Sequence, residues 1–487
     1  MATTAADRAG AERGVPVREG EYGARVVAVE PGGIELIPAQ ERHGRPRQLL
    51  WTWSSPNLEF ATIFVGVLPI ALFGGGFWAT LLGVAIGTGL GSLTLGILSA
   101  WGPRFGVPQM VQSRGAFGYL GNLLPAGLNT VTAGVGWFAV NSVSGAFALE
   151  TFTGLVGWGH LSFQVALGIV VLLQVVVAFG GYNMVHSVER LLLPFLAGVF
   201  GAATVYILAE SHPGAGFNAH APAAFGGASG AFLLAVFIAY GYAVGWNPYA
   251  SDYSRYLPEH TSRARVALAA GMGVFLSCVV LEIAGAGLAT VAGTSWGPND
   301  VPTAQFIKPL PHVLAILSTL GIAVGAVAAN ALNVYSAAMS FLTLGIRLGW
   351  RQRRAVVALL FGFVGFLVAR TGDTGPGSKY EDFLLLITYW IAPFLAVVLV
   401  DYAVRRGRYA QRAFFDARHN PWHGAASMAC GIAASVPFWN QSLWQGPFAL
   451  HHPEFGDLSF AVGFAVAAVI HLSLLRAVGP DRAAAAP

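Results

Sequence analysis

Two tryptophans and four asparagines stand out in a largely apolar chain: Trp137 with Asn141, Trp246 with Asn247, and the pair Asn330 and Asn333. An indole offers a flat π face, and stacking on an aromatic side chain is worth roughly 1–3 kcal/mol per base in single-strand-binding proteins. A carboxamide donates and accepts at once, which matches a ring carrying both C=O and N–H. The set suits a flat, neutral heterocycle. No basic cluster lies within the apolar segments that carry it, which argues against a phosphate or a multiply charged anion.

Spacing decides which of these residues act together. Asn129, Ala133, Trp137, Asn141 and Gly145 recur every four residues and so share one helix face. Such a stripe serves either helix packing with interhelical hydrogen bonds or a ligand platform on which Trp137 stacks and Asn141 hydrogen-bonds. Asn330 and Asn333 stand at i, i+3 in GAVAANALNVYSAAMS, and each faces a ligand or a neighbouring helix. Trp246 and Asn247 lie in FIAYGYAVGWNPYASDYSRYLPEHTSRAR, residues 237–265, where Gly241, Gly245 and Pro248 interrupt an apolar helix. Backbone groups freed inside hydrocarbon cost several kcal/mol unless protein or a water-lined cavity satisfies them. The interruption therefore reads as a binding cavity, with a Pro-kinked packing helix as the other reading.

Ser55, Asn57 and Glu59 fall near the cytoplasmic end of the first apolar segment, which begins WTWSSPNLEFATIF. Glu282 lies inside the seventh segment and Asp252 at the inner end of the sixth. Acids within a membrane are functional candidates by default, so Glu59, Glu282 and Asp252 are candidate proton sites or members of buried pairs. Asp252 stands at i, i+3 to Arg255, which favours a structural pair. His160, His212, His220, His451 and His452 fall in loops or near segment ends with no metal-ligand spacing, and no nucleophile–base pattern appears. Neither an enzyme nor a metal or other cofactor is expected.

The elements that must position these groups are membrane helices. The chain of 487 residues is 55% hydrophobic and 10% charged, with mean hydropathy +0.61, whereas soluble domains carry about 25% charged residues. Apolar runs of about 20 residues fall near 53–75, 78–100, 119–150, 162–181, 190–209, 229–250, 266–291, 312–345, 355–370, 383–402, 423–440 and 458–476. The third and eighth are long enough to tilt or to extend beyond the bilayer. Cys278 and Cys430 both lie in apolar segments, so no disulfide framework is implied.

With the N-terminus placed inside, 24 of the 27 basic residues fall in inside segments, and only Lys308, Arg370 and Lys379 fall outside. By the positive-inside rule both termini are expected in the cytoplasm and the protein in the cell membrane. The net charge of +4 is then no sign of a nucleic-acid partner; the expected partners are the lipid bilayer and a small molecule. Residues 1–50 are expected as a flexible cytoplasmic tail, with a short amphipathic stretch near Ile34 to Ile37, and 477–487 as a second tail. Residues 51–209 and 229–402 form two five-span units, and 423–476 two further spans. An odd number of spans per unit makes the two inverted. The first span then matches the sixth, with Gly66, Pro69 and Gly74-Gly75-Gly76 as its expected interruption.

GWNPYASDYSRYLP resembles the signature of the purine–cytosine permease branch of the nucleobase–cation symporter family. WSSPNLEFATIFVGVL resembles the family's first span, GPRFGVPQMVQSRGAFGYLGNLLPAGLN its linker into the third, and NALNVYSAAMS its eighth, in the right order over residues 50–345. The resemblance implies an all-α polytopic membrane protein of LeuT-like fold: a 5+5 inverted repeat plus two C-terminal helices, twelve transmembrane helices in all. It implies coupled uptake of cytosine, a purine or a related heterocycle by alternating access. Hydantoins, allantoin and vitamin-type pyrimidines stay open. The family's aromatic sandwich maps onto Trp137 and Trp246. Its polar contacts map onto Asn141, Asn247, Asn330 or Asn333, and Ser55.

Two departures bear on mechanism. Some purine-binding relatives carry an acid directly after the span-6 tryptophan, where this chain has Asn247. Sodium-coupled relatives place hydroxyls in span 8 just before the asparagine, where this chain has Ala326, Val327, Ala328 and Ala329. A hard cation wants oxygen ligands, so H+ is the expected coupling ion and Na+ the alternative. An amino-acid carrier of the same fold gives no reason for two tryptophans. A non-transporting ligand sensor is the reading from another class.

Overall fold

The structure is a computed structural model that describes residues 15–17, 33–178, 181–214, 225–297, 300–346 and 350–478. Among these the chain forms helices and no sheet. The helices that matter here are α1 (Arg47–Ser54), α2 (Phe60–Ala71), α3 (Phe77–Ser99), α4 (Leu123–Val131), α5 (Phe138–Leu155), α6 (Phe163–Ala178), α7 (Gly181–Glu210), α8 (Gly227–Val244), α9 (Ala250–Ser254), α10 (Arg263–Leu288), α11 (His312–Thr343), α12 (Trp350–Ala369), α13 (Pro376–Val404), α14 (His423–Ser435) and α15 (Ser459–Val478). Every one of the twelve expected segments contains a helix. Among the described residues eight are long and apolar enough to cross a membrane, and Phe60–Ala71, Phe163–Ala178 and Val356–Ala369 are shorter apolar helices.

Their outer faces are apolar because lipid, not water, surrounds them. On α3, Trp78, Leu82, Ile86, Leu90, Leu93 and Ile97 are exposed along one face. The opposite face carries Gly83, Gly87 and Gly91 against α8. A Cβ on Gly87 would lie 2.1 Å from the Val236 carbonyl, and one on Gly91 would lie 2.6 Å from the Ala243 Cβ. Small residues let membrane helices approach this closely, and the gain is dispersion contact, since lipid tails leave little hydrophobic drive between helices. The α2–α10 pair follows the same rule: a Cβ on Gly66 would meet the Glu282 carbonyl at 1.8 Å, and one on Gly285 the Ile63 carbonyl at 1.8 Å.

Two helices break inside the bundle. The sixth segment breaks where expected: α8 ends at Val244, a 3-10 turn covers Asn247–Tyr249, and α9 follows. The first breaks earlier than expected. α1 runs to Ser54, a 3-10 turn covers Ser55–Asn57, Glu59 is extended at φ −146°, and α2 starts at Phe60. Gly66 and Pro69 lie inside α2, and Gly74 only closes its end at φ 64°. Ser55, Asn57 and Glu59, expected near a helix end at the membrane surface, are the break itself and are buried.

A third irregularity has no counterpart in the expectations. Between α4 and α5 the third segment passes through a π turn, Thr132–Trp137. Such turns are rare and frequent at functional sites.

The last two spans brace α13. Pro393 packs against Gly431 and Gly463. Near the end of α13, the Asp401 carboxylate accepts from Arg405 Nε at 2.7 Å and the Tyr409 hydroxyl at 2.6 Å, and it lies 3.3 Å from His471 Nε2 of α15. Toward its start, the Ser442 N–H donates to Asp382 at 2.7 Å, and Tyr389 stacks on Trp439 with centroids 4.3 Å apart. Part of the expected flexible tail is also anchored. Leu36 and Ile37 are buried, the Ile37 N–H donates to the Gly106 carbonyl at 3.1 Å, and Arg255 donates to the Gly33 carbonyl at 2.9 Å.

Candidate substrate-binding site

The two breaks and the π turn meet. Pro56 and the 3-10 turn stop α1, and side chains take over the freed carbonyls: Asn57 Nδ2 donates to Trp53 O at 2.6 Å, and Thr62 Oγ1 donates to Asn57 O at 2.6 Å. Asn57 Oδ1 is left to accept the Trp246 indole N–H at 2.9 Å. Trp137, the last residue of the π turn, lies parallel to Trp246 at an interplanar angle of 9°, with ring centroids 6.4 Å apart. Carbon atoms pack best at about 3.5–4.0 Å, so a flat ring between two indoles needs close to twice that. The pair stands just short of this spacing. Gly245 sits beside it: a Cβ there would lie 2.9 Å from Trp137 Cζ2.

The rim of the cleft is aromatic. Tyr242 and Phe383 meet Trp137 edge-on, at 5.4 and 5.0 Å. Trp137 and Trp246 are each only 4% exposed. Phe383 also lines a cavity of about 160 Å³ with Phe60, Phe64, Val143, Phe147 and Tyr380. It therefore separates an apolar vestibule from the indole pair.

The floor is polar. The Tyr242 hydroxyl stands 3.2 Å from Glu59 Oε1 and 2.6 Å from Thr62 Oγ1. One end of the Asn141 carboxamide lies 3.2 and 3.3 Å from the Glu59 oxygens; the other lies 3.0 Å from Asn330 Oδ1 and 3.2 Å from Asn333 Nδ2. Asn330 Nδ2 donates to the Phe138 carbonyl at 2.9 Å. Ser55 Oγ and Asn333 Oδ1 are buried polar atoms without a hydrogen-bond partner. Each oxygen keeps lone pairs that a ligand N–H can meet.

This geometry can be set beside known proteins. Residues 36–463 match the family model described as permease for cytosine/purines, uracil, thiamine, allantoin. The chain belongs to this family. It is 29% identical over 462 residues to the putative purine-cytosine permease YxlA of Bacillus subtilis, covering 92% of this chain and 96% of that one. It is also 29% identical over 462 residues to the purine-cytosine permease fcyB of Emericella nidulans, covering 92% and 88%. Among solved structures it is similar to Mhp1, a nucleobase-cation-symport-1 family transporter. The closed conformation with bromovinylhydantoin bound matches at TM-score 0.71 and 20% identity, over 90% of this chain and 94% of that one. The inward-facing conformation matches at TM-score 0.68. The fold is thus that of the LeuT-like transporters, and the chain is a transporter and not an enzyme.

Within this permease the structure gathers Trp137, Asn141, Trp246, Asn330 and Asn333 in one place, with Ser55 in the span-1 break. Asn247 lies in the span-6 break, and its Oδ1 is buried without a hydrogen-bond partner. Its Nδ2 donates to the Gly91 carbonyl of α3 at 3.1 Å, so it ties the span-6 break to α3. The three acids also separate. Glu59 touches Asn141 and Tyr242. Glu282 receives Thr88 Oγ1 at 2.7 and 2.9 Å, between α10 and α3. Asp252 Oδ1 accepts the Gln109 backbone N–H at 2.9 Å, tying the linker after α3 to α9.

Asn57 was noted in the sequence without a role, and Tyr242 and Phe383 were missed. Asn57 was legible as the only amide in the break, Tyr242 as the residue one turn before Trp246, and Phe383 not at all, because only tertiary packing brings α13 to Trp137.

Proposed function

We propose that this permease imports a neutral planar heterocycle, cytosine or a purine, in symport with protons by alternating access. The observation that supports the substrate class is the parallel pair Trp137–Trp246, 6.4 Å apart, above a floor of carboxamides. A ring slides between the indoles while its C=O and N–H groups meet Asn141, Asn333 and Ser55. Both termini face the cytoplasm in this reading, by the distribution of basic residues.

Proton coupling rests on two features. A Cβ on Gly325 of α11 would lie 3.3 Å from the Leu58 carbonyl, so span 8 meets the span-1 break at Gly325. Ala326 to Ala329 follow, and these residues bring no side-chain oxygen for a hard cation. Of the three acids, Glu59 alone touches a carboxamide of the cleft, which makes it the proton carrier in this mechanism.

Uptake of radiolabelled cytosine, hypoxanthine and adenine into proteoliposomes tests the reading. Accumulation driven by an inward proton gradient in sodium-free buffer is expected for at least one base. Accumulation that survives collapse of the proton gradient and follows an imposed sodium gradient overturns the coupling. Uptake of allantoin or a hydantoin with no base transported overturns the substrate.

A further inference from the structure

We propose that the proton on Glu59 sets which way the Asn141 carboxamide points, and so which hydrogen-bonding edge the cleft shows its ligand. The proposal deepens the reading above and rests on it. Asn141 is placed between two acceptors. Glu59 oxygens stand at 3.2 and 3.3 Å from one end of its amide, and Asn330 Oδ1 stands at 3.0 Å from the other. Asn330 cannot turn to relieve this, because its own Nδ2 is committed to the Phe138 carbonyl at 2.9 Å. A carboxamide has one NH2 and one oxygen, and its orientation follows from its neighbours.

With Glu59 ionised, both its oxygens accept only. The Asn141 NH2 must then face Glu59, and Asn141 Oδ1 is pressed against Asn330 Oδ1, relieved only by Asn333 Nδ2 at 3.2 Å. With Glu59 protonated, its O–H donates to Asn141 Oδ1, and the Asn141 NH2 turns to Asn330 Oδ1. That brings the Asn141 NH2 to 3.2 Å from Asn333 Nδ2, so the Asn333 amide must turn as well, its oxygen accepting from Asn141 and its NH2 taking the position of the oxygen that has no partner. The cleft then shows a donor to the ring C=O of a cyclic amide. The ionised state shows such a ligand acceptors where its carbonyl needs a donor. Proton and ligand therefore strengthen each other's binding without touching.

Other ionisable groups sense Glu59 from the helices packed around it: Tyr242 of α8, Cys278 of α10 and Tyr380 of α13, with Glu282 of α10 acting on the last two. The test must separate Glu59 from these. Equilibrium binding of cytosine to the purified permease between about pH 5 and about pH 9 is the first arm. Wild-type affinity should fall about tenfold as pH rises, the worth of one net hydrogen bond. Glu59→Gln, whose amide donates to Asn141 permanently, should bind with the acid-side affinity at every pH. Asn141→Ser keeps the acid but removes the amide, and its affinity should be weak and flat with pH.

A wild-type pH slope retained in either variant overturns the proposal. The second arm needs no ligand: infrared difference spectra of the wild-type protein across the same range should show a carboxyl band and an asparagine amide band changing together. Both changes should be lost in Glu59→Gln. A carboxyl band changing without an amide band overturns the switch. Absence of binding by any nucleobase, with the paired bands present, overturns the substrate reading and leaves the switch standing.

Discussion

Asn57 Oδ1 accepts the Trp246 indole N–H at 2.9 Å, so the break in the first span holds the aromatic platform of the break in the sixth. Asn57 also caps the Trp53 carbonyl through its other amide atom. One side chain thus supports the backbone of one broken helix and the ring orientation of the other.

Replacing Asn57 by Ala leaves a buried indole N–H and a buried carbonyl without partners. Each unsatisfied group costs about 1–3 kcal/mol. The expected outcome is a lower unfolding temperature together with a weakened affinity for the transported base, read by thermal unfolding with and without ligand. A variant with unchanged stability and affinity would show that the link between the breaks is idle.

Trp137→Ala and Trp246→Ala should each lose at least about 1 kcal/mol of ligand binding, the lower end of the range for base stacking. Titration calorimetry on protein of normal membrane abundance checks this. Equal affinity in both variants and the wild type removes the sandwich from the mechanism.

Gly285→Ala should lower stability with no direct effect on the cleft. Its added Cβ would lie 1.8 Å from the Ile63 carbonyl, and overpacking a close contact costs typically 1–3 kcal/mol. The readout is the yield of monodisperse protein in detergent and its unfolding temperature. Gly168→Ala, where a Cβ meets nothing within 4 Å, is the control and should behave as wild type.

Asp457 stands just before α15 and accepts from the Tyr389 hydroxyl at 2.7 Å, the Asn440 N–H at 2.8 Å and the Ser459 N–H at 2.9 Å. Burial outweighs these bonds and pushes its carboxyl up to about 6. A carboxyl raised above its unfolded value gives stability that is complete below about pH 4 and is lost as pH rises through the folded value. The size is on the order of 3 kcal/mol. Asp457→Asn should therefore flatten the fall in unfolding temperature between about pH 4 and about pH 7. A fall of undiminished size in the variant assigns it to another group.

The sixth-span break was legible because Gly245-Trp246-Asn247-Pro248 offers a helix little reason to continue. The first-span break was placed wrongly for an instructive reason. Gly66 and Pro69 look like helix breakers, but Gly66 is small because the Glu282 backbone presses on α2 there, and α2 continues through Pro69. Ser55-Pro56-Asn57 reads as the start of a helix, and only the helix α1 packed before it turns it into a break. Trp137, Asn141, Trp246 and Asn330 could be paired from chemistry alone. The tie from Asn247 to α3 was not legible, since the Gly91 carbonyl that takes its amide lies 156 residues away.

The π turn at Thr132–Trp137 explains why a four-residue repeat keeps one face over so long a helix. Asn129 donates to Ser340 and Asn141 reaches Asn330, both on α11. At about 100° per residue, a plain α-helix would set two side chains twelve residues apart about 120° away from each other. One extra residue taken up in the π turn makes the effective separation eleven, and the mismatch falls to about 20°. The segment thus carries one residue of slack. A single deletion between Asn129 and Asn141 takes up this slack and leaves both asparagines in register with α11. The slack is stored in the turn that ends at Trp137.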